Sequence, residues 1–312
     1  MDSPLILFVI SDTAVDALLR TLLFVPGSDR GKLNKVGRFG SDAVVLDLED
    51  AVAEDRKTEA REFVREAVPS YGDGQVVMVR VNGHTGGRMC DDIAAVVVPG
   101  LNAVMVPKVE DARELAAADA ALAEAEHAAG MPTGRVRLIP LIETPRGIAR
   151  CEAVAEAAPQ RTLTLAFGSG DFATALGVEL SADGLALDYA RGRLVVAARA
   201  AGLAHPLDGP YLDLRDLNGL KRDCERSRQL GYQGRVIVYP PQVPVAQRAY
   251  SAVSGAAVEH ARHVVEAFEA AEAHGIVSIN VDGRFVDYPI YRLAQERLRS
   301  HEAYRRTVEA TG

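Results

Sequence analysis

Two carboxylates, Glu143 and Asp171, stand at the C-terminal ends of short apolar runs, in Leu138-Ile139-Pro140-Leu141-Ile142-Glu143-Thr144-Pro145-Arg146-Gly147 and in Ala166-Phe167-Gly168-Ser169-Gly170-Asp171-Phe172. Such runs read as buried strands, and in a parallel α/β barrel the side chains at strand ends project into the mouth where chemistry is done. Two hard oxygen donors from different strands suit Mg²⁺, which keeps several coordination positions for water and substrate. The plainer alternative is a pair of strand-end caps, since carboxylates often cap the helices that follow strands.

Other strand ends carry polar groups too. Val25-Pro26-Gly27-Ser28-Asp29-Arg30-Gly31-Lys32 is a Gly-rich turn whose basic side chains, with Lys35 on the next helix, could hold phosphates or simply belong to an ordinary strand-to-helix turn. It is not a P-loop, and no G-x-G-x-x-G follows the first strand. In Asp47-Leu48-Glu49-Asp50, strand alternation places Asp47 and Glu49 on one face and Asp50 on the other or on the loop. Three neighbouring acids repel unless a cation or hydrogen-bond donors offset them, which favours a place beside a metal, with one of the three free to cap the next helix. Arg80 is a charge inside the apolar strand Val77-Met78-Val79-Arg80-Val81. An unpaired buried guanidinium is costly, so Arg80 must grip a substrate carboxylate or form an ion pair with those acids. Lys108, in Val106-Pro107-Lys108-Val109-Glu110, is either a Schiff-base lysine or a partner of Glu49 or Glu110. Backbone N–H groups of Gly168-Ser169-Gly170 are suited to a developing enolate oxygen. The seven histidines form no metal-binding spacing, and there is no G-x-S-x-G elbow.

The elements that would position these groups recur at strand-plus-helix spacing. Strands are expected over Thr21–Val25, Ala43–Leu48, Val76–Val81, Ala103–Val106, Val136–Ile142, Leu163–Phe167, Leu203–Leu207 and Arg235–Tyr239. Helices are expected over Arg56–Ala67, Asp111–Ala129, Pro145–Ala158, Leu187–Ala201 and Asp213–Leu230. The alternation predicts an α/β fold, a (β/α)₈ barrel. It divides the chain into an N-terminal extension over 1–19, a barrel over 20–249 and a helical C-terminal extension over 250–312. The extension holds a helix near Val258–His274, a short run Ile276–Val281, an Asp282-Gly283 turn and a last helix near Pro289–Thr307. Such an appendage packs on a neighbouring subunit, covers a mouth or stabilises the barrel's outside.

Composition narrows the partners. A formal net charge of −8 argues against nucleic acid. Three scattered cysteines, Cys90, Cys151 and Cys224, indicate neither a disulfide framework nor a zinc site, which fits a reducing cytoplasm. The apolar run near the start lacks a basic flank and is too short to span a membrane.

Read together, Arg20-Thr21-Leu22-Leu23-Phe24-Val25-Pro26-Gly27, Leu46-Asp47-Leu48-Glu49-Asp50-Ala51-Val52, Val79-Arg80-Val81-Asn82, Ile142-Glu143-Thr144-Pro145 and Gly168-Ser169-Gly170-Asp171-Phe172 resemble the citrate lyase β-subunit-like family of acyl-CoA lyases. That family also includes the malyl-CoA and citramalyl-CoA lyases. The resemblance implies a Mg²⁺-dependent barrel that cleaves or forms a C–C bond between a 2-oxo acid and an acyl-thioester enolate. It implies that Glu143 and Asp171 are the metal ligands, that Arg80 grips the oxo-acid carboxylate, and that Glu49 and Asp50 order metal-bound water. Phe24, Arg30, Lys32 and Lys35 fall where the family contacts CoA, and Gly170, Val238 and Tyr239 where it contacts the rest of the substrate. Asp282-Gly283-Arg284-Phe285-Val286-Asp287-Tyr288-Pro289 resembles the segment in which these lyases place a catalytic aspartate reaching a neighbouring subunit's site, so Asp287 is the expected proton-handling group and a homo-oligomer, trimer or hexamer, the expected assembly. One departure stands out: Tyr239, in Val236-Ile237-Val238-Tyr239-Pro240-Pro241, occupies the place of a usual histidine and bears on the acyl-thioester contacts. The resemblance leaves open a citrate lyase β subunit acting with an acyl-carrier protein, condensation or thioester hydrolysis on the same scaffold, and a catalytically silent acyl-CoA- or oxo-acid-binding barrel.

Overall fold

The computed structural model of the chain describes residues 19–311 apart from 73, 182 and 252–254, and not the side chains of 255, 256, 300 and 303–311. The expected N-terminal extension lies, but for its last residue, outside the described residues. The chain forms two compact units, one up to Tyr250 and one from Ser251 onward.

In the first unit, strands β1 (Thr21–Pro26), β2 (Ala43–Asp47), β3 (Val76–Arg80), β4 (Ala103–Val106), β5 (Arg137–Ile142), β6 (Ala166–Phe167), β7 (Leu207–Asp208) and β8 (Gly234–Ile237) pair in sequence order, each parallel to the next. β8 returns to pair with β1, and the sheet closes. Around it run α1 (Arg30–Val36), α2 (Lys57–Ala67), α3 (Arg88–Val96), α4 (Ala112–Ala128), α5 (Pro145–Ala149), α6 (Cys151–Glu156), α7 (Ser169–Leu176), α8 (Asp188–Ala200), α9 (Leu217–Leu230) and α10 (Val243–Ser251). This is the expected (β/α)₈ barrel.

Why the strands read as continuous apolar runs is plain from their two faces. Successive side chains alternate, so Leu22, Val45, Met78, Met105 and Ile139 fill the barrel interior. Their neighbours Leu23, Val44, Val77, Val104 and Leu138 pack outward under the helices. Both faces are buried, so a polar residue inside a strand is costly unless it is paired. The polar groups are thereby pushed to the strand ends. Several helix starts are capped from the same loops: Asp29 accepts from Lys32 N at 3.0 Å, Asp111 from Arg113 N at 3.0 Å, and Thr144 from Gly147 N at 2.9 Å.

The seventh and eighth strands differ from expectation. Pro206 has no N–H to give the ladder, and pairing in β7 starts only at Leu207 and runs on to Asp208. β8 ends at Ile237, not Tyr239, because Pro240 and Pro241 follow and Tyr239 starts a 3₁₀ turn. The expected helix over Pro145–Ala158 is two helices, broken at Arg150, whose φ of −120° is not helical.

In the second unit α11 (Gly255–Glu272) and α12 (Tyr288–Thr311) enclose an antiparallel hairpin of β9 (Ile279–Val281) and β10 (Arg284–Val286). The hairpin falls on the expected short run and Asp282-Gly283 turn, and adds a second strand, Arg284–Val286, to a segment expected to be helical apart from them. Asp282 and Gly283 both have positive φ, 52° and 80°, as a tight two-residue hairpin turn requires. Phe268 anchors the unit's own core, stacked at 4.7 Å on Tyr291. Among the described residues no helix is long and apolar enough to cross a membrane.

Barrel closure leaves no room at Gly234, where a Cβ would overlap Leu19 O and stand 2.6 Å from Arg20 Cα. Gly234→Ala should therefore cost ~3 kcal/mol as an overpacked core position. Urea unfolding checks it, and a midpoint within 0.2 M of the parent, on the order of 0.4 kcal/mol at a typical slope, would show that closure is looser than this geometry implies.

Candidate active site

The last rung of the β2–β3 ladder sets Asp47 beside Arg80. Arg80 Nε and Nη2 donate to Asp47 Oδ1 and Oδ2 at 2.7 and 2.6 Å. Its Nη1 stands 3.0 Å from Glu49 Oε2, a close charge contact without a well-directed hydrogen bond. Burial alone would lower the Arg80 pKa, but Asp47 and Glu49 more than offset this and hold the guanidinium charged. Both alternatives for Arg80 thus keep a footing: it is a structural ion pair, and it also lines the mouth cavity. Among the three neighbouring acids, Asp47 is the one that organises the turn, accepting from Glu49 N at 3.0 Å and Ala51 N at 3.1 Å.

Lys108 follows β4 with a φ of 55°, in the left-handed region that costs a non-glycine residue about 1 kcal/mol or more. In that conformation its N–H donates to Glu143 Oε1 at 3.0 Å, while Nζ reaches Glu49 Oε1 at 2.5 Å, Asp50 at 3.3 Å and Asp171 Oδ2 at 3.6 Å. Burial opposes its charge, but the bond to Glu49 and the surrounding acids raise its pKa. A firmly protonated ammonium is no Schiff-base nucleophile, and the ion pair is with Glu49, not Glu110. Glu110 instead accepts from the Thr144 hydroxyl at 2.6 Å.

Glu143 follows β5 and is 2% exposed. Burial first, then the charges of Glu49 and Asp171, push its pKa up to about 8, with Arg80 and Lys108 pulling the other way. Burial likewise raises Glu49, whereas Lys108 and Arg80 overcome the burial of Asp50 and hold it low. Gly168 is required next to Glu143, since a Cβ there would overlap the Glu143 carboxylate. Asp171 sits in the first turn of α7, half-exposed. Asp47, Glu49, Asp50, Glu143 and Asp171 against Arg80 and Lys108 leave three excess negative charges if all are ionised.

A cavity of about 170 Å³ opens on this cluster. Asp50, Arg80, Glu143 and Asp171 line one side and Phe24, Pro210, Val236 and Val238 the other, while Leu141 and Phe167 come from β5 and β6, the strands that lead to Glu143 and Asp171. The polar side comes from β2, β3, β5 and β6, the apolar side largely from β7, β8 and β1. Among the described residues no group of three or more His, Cys, Asp or Glu side chains is gathered to hold a metal unaided. Two hard carboxylates in a field of excess negative charge fit a small divalent cation that draws its remaining ligands from water and substrate, not a closed zinc or calcium cage.

Other expected site residues lie elsewhere. Phe24 lines the cavity, its ring 5.2 Å from the Arg80 guanidinium. Arg30 lies over the Phe63 ring at 4.0 Å and pairs with Glu66 at 2.9 Å, and Lys32 pairs with the helix cap Asp29 at 3.5 Å. Lys35 is in the last turn of α1. These three basic residues are exposed on α1 and are not gathered with the acids. Gly170 and Val238 line the cavity; Tyr239, beyond β8, does not. Asp287 belongs to the second unit, where its carbonyl accepts from Tyr291 N at 2.8 Å and its carboxylate from Ile290 N at 3.4 Å at the start of α12.

One charge network went unread in the sequence: buried Asp208 at the end of β7, Arg235 in β8 and Arg191 in α8, with partly buried Asp223 in α9, joined by ion pairs of 2.7–3.0 Å. The signal was there for Arg235, a charge inside the apolar run Gly234-Arg235-Val236-Ile237, as for Arg80.

The chain is similar to known proteins along most of its length. The family described as HpcH/HpaI aldolase/citrate lyase matches residues 20–240. The citrate lyase subunit beta of Leuconostoc mesenteroides subsp. cremoris is 33% identical over 282 residues, 90% of this chain and 92% of that protein. A (3S)-malyl-CoA thioesterase of Cereibacter sphaeroides is 33% identical over 285 residues, 91% of this chain and 95% of that protein. Among solved structures, CitE from Mycobacterium tuberculosis in complex with magnesium, acetoacetate and coenzyme A superposes with a TM-score of 0.73 at 28% identity, over 92% of this chain and 99% of that one.

The raised Glu143 pKa predicts a pH dependence in chelator-treated protein. Below the ordinary value of 4.5 Glu143 is protonated whether folded or not, and its burial costs nothing extra. From there to about 8 the unfolded chain releases the proton while the fold retains it, so stability falls as pH rises, by at most about 1.4 kcal/mol per unit. Glu143→Gln should flatten that fall and be more stable than the parent at pH 8. Equal urea midpoints for the two proteins at pH 8 would count against a strained Glu143 carboxylate.

Proposed function

The chain belongs to the HpcH/HpaI aldolase/citrate lyase family, and we propose that it is a Mg²⁺-dependent carbon–carbon lyase acting on a β-hydroxyacyl-CoA such as malyl-CoA or citramalyl-CoA, which it splits into a 2-oxo acid and an acyl-CoA or forms from them. The observation that carries the proposal is the meeting of Glu143, Asp171 and Arg80 on one side of a single cavity whose other side is apolar. Relatives that bind magnesium, coenzyme A and small oxo acids support the choice of ligands: CitE complexes hold magnesium with acetoacetate and coenzyme A, and magnesium with pyruvate.

Glu143 and Asp171 would hold the cation, which supplies Lewis-acid polarisation of the oxo-acid oxygen when bound. Arg80 commits two of its five N–H donors to Asp47, and its Nη1 stands against Glu49 as a charge contact. At least one N–H on each Nη remains for the substrate carboxylate, and the two acids fix the plane in which it is presented. Glu49 and Asp50, tied by Lys108, hold water at the polar rim. In cleavage the β-hydroxyl loses its proton to a base, the C–C bond electrons pass to the thioester carbonyl as an enolate, and an acid returns a proton to the α carbon. Backbone N–H groups at the start of α7, beside Gly170, are placed to receive the enolate oxygen's charge. The acyl part lies against Phe24, Val236 and Val238, and the CoA extends toward α1, whose exposed Lys35 meets its phosphates, joined by Arg30 and Lys32 once they exchange their surface pairs with Glu66 and Asp29 for phosphate.

Purified protein should cleave at least one thioester from a malyl-CoA and citramalyl-CoA panel without a carrier protein. EDTA should abolish turnover, and Asp171→Ala should lower kcat/KM at least about a hundredfold. Turnover that persists in EDTA, or none across the panel, would sink the proposal, whereas turnover only with an acyl-carrier protein thioester would identify the carrier-dependent form.

The proton-handling group is proposed to be Asp287 from a neighbouring copy in a trimer or hexamer, supported by the match of its segment to the family's. Mixing inactive Asp287→Ala chains with inactive Glu143→Ala chains should restore part of the activity, since some sites then combine a sound barrel with a sound aspartate. If subunits exchange and no activity returns, Asp287 serves its own chain or only starts α12.

A further inference from the structure

The turn after β7 rests on a buried ion network that the chemistry above does not use. Arg191 Nη2 pairs with Asp208 at 3.0 Å, Arg191 Nη1 and Nη2 with Asp223 at 2.9 Å each, and Arg235 Nη2 with Asp223 at 2.7 Å. Arg191, Asp208 and Arg235 are at most 1% exposed. Charges this deep persist only when each finds partners; Arg235 Nη1 donates to Cys224 Sγ at 3.2 Å, and two further donors of Arg235 converge on one backbone atom. Its Nε and Nη2 donate to Gly209 O at 3.1 and 2.9 Å, while Gly209 N donates to Asp208 Oδ1 at 2.8 Å. Gly209 is held at both of its peptide groups.

Gly209 in turn bears on the mouth. A Cβ there would overlap the Ser169 hydroxyl and lie 2.7 Å from both Ser169 N and Ser169 Cβ. Ser169 itself donates to Pro210 O at 3.3 Å. On the other side of the same helix start, a Cβ at Gly168 would overlap the Glu143 carboxylate and lie 3.0 Å from its Cδ. The first turn of α7, which carries Asp171, is thus pressed between Glu143 and Gly209 with no slack on either side.

We propose that Gly209, clamped by Arg235 and Asp208, is a positioning residue that sets the separation of the Glu143 and Asp171 carboxylates and through it the affinity for the divalent cation. The inference rests on the reading of those two carboxylates as joint ligands. Close packing transmits such a displacement undamped, and supporting contacts of this kind are worth 10- to 100-fold in metal affinity.

Calorimetric titration of metal-free protein with Mg²⁺ tests it. Gly209→Ala should weaken binding about tenfold or more with the circular dichroism spectrum unchanged, and adding Ser169→Gly, which removes the two side-chain contacts of the new methyl and leaves only the one with Ser169 N, should restore part of the lost affinity. A merely structural defect would not be rescued by removing the Ser169 side chain. Affinity unchanged in folded Gly209→Ala, or lost with no part of it restored in the double variant, overturns the inference. Should Gly209→Ala fail to fold, Ser169→Thr adds a methyl from the opposite side of the same contact and must weaken Mg²⁺ binding by the same criterion. Asp171→Asn is the control for the underlying reading: if it binds Mg²⁺ as the parent does, the ligand assignment itself has failed, independently of Gly209.

Discussion

The pairing of Arg80 with Asp47 across the end of the β2–β3 ladder is the interaction on which the mouth depends. Asp47 is 1% exposed, and a carboxylate there is tolerable only because two guanidinium bonds and two backbone N–H groups satisfy it. Removing one partner of such a pair strands the other at a cost of roughly 3–5 kcal/mol. Because Asp47 also ties down Glu49 N and Ala51 N, the pair fixes the turn that presents Glu49 and Asp50. Lys108 then takes up Glu49 and Asp50 from the opposite side, and its own N–H holds Glu143. Asp47, Glu49, Asp50 and Asp171 are each held by a cation that another acid also holds, and Glu143 by the backbone of Lys108, so the cluster is set as a unit.

That arrangement is deliberately under-neutralised. A site with as many cations as acids would be more stable and would have nothing left to bind a divalent ion. Here Glu143 carries the imbalance: buried, flanked by Glu49 and Asp171, and lifted to about 8. The strain is local, and the barrel's two packed layers carry it. Left-handed Lys108 is a second expense of the same kind, justified by placing an N–H and an ammonium on two different carboxylates at once.

The legibility of these features in the sequence follows from one physical rule. A charge at the end of an apolar strand, or inside one, has nowhere to go but a functional or paired position. Glu143, Asp171, Arg80 and Glu49 announce themselves that way, and the barrel follows from the strand-helix alternation that carries them. Asp208 and Arg235 obey the same rule, but Pro206 hides the true start of β7 and moves the apparent strand end one residue short of Asp208. Lys108's side chain was ambiguous because nothing local distinguishes an ion pair from a nucleophile; three-dimensional crowding by acids does. The separations at Gly168 and Gly209 were not legible at all, since a glycine that makes room for a side chain from another strand leaves no mark in its own neighbourhood. The basic residues of the first loop show the converse: their types suit phosphates, yet Arg30 and Lys32 are engaged by Phe63, Glu66 and Asp29 on the helix surface.

The asymmetry of the mouth links the parts. Strands β2 through β6 bring charge to one half of the rim, while β7, β8 and β1 bring Pro210, Val236, Val238 and Phe24 to the other. Yet the apolar half is underlain by fully buried charges, Arg191, Asp208 and Arg235, none of which reaches the cavity. Their placement is explicable if they act on backbone, because Arg235 spends two donors on Gly209 O, where a hydrophobic residue of equal volume could fill space but could not hold a carbonyl. The polar half of the mouth is thus organised by side chains that grip one another as well as backbone, the apolar half by side chains gripping backbone. Both converge on the first turn of α7.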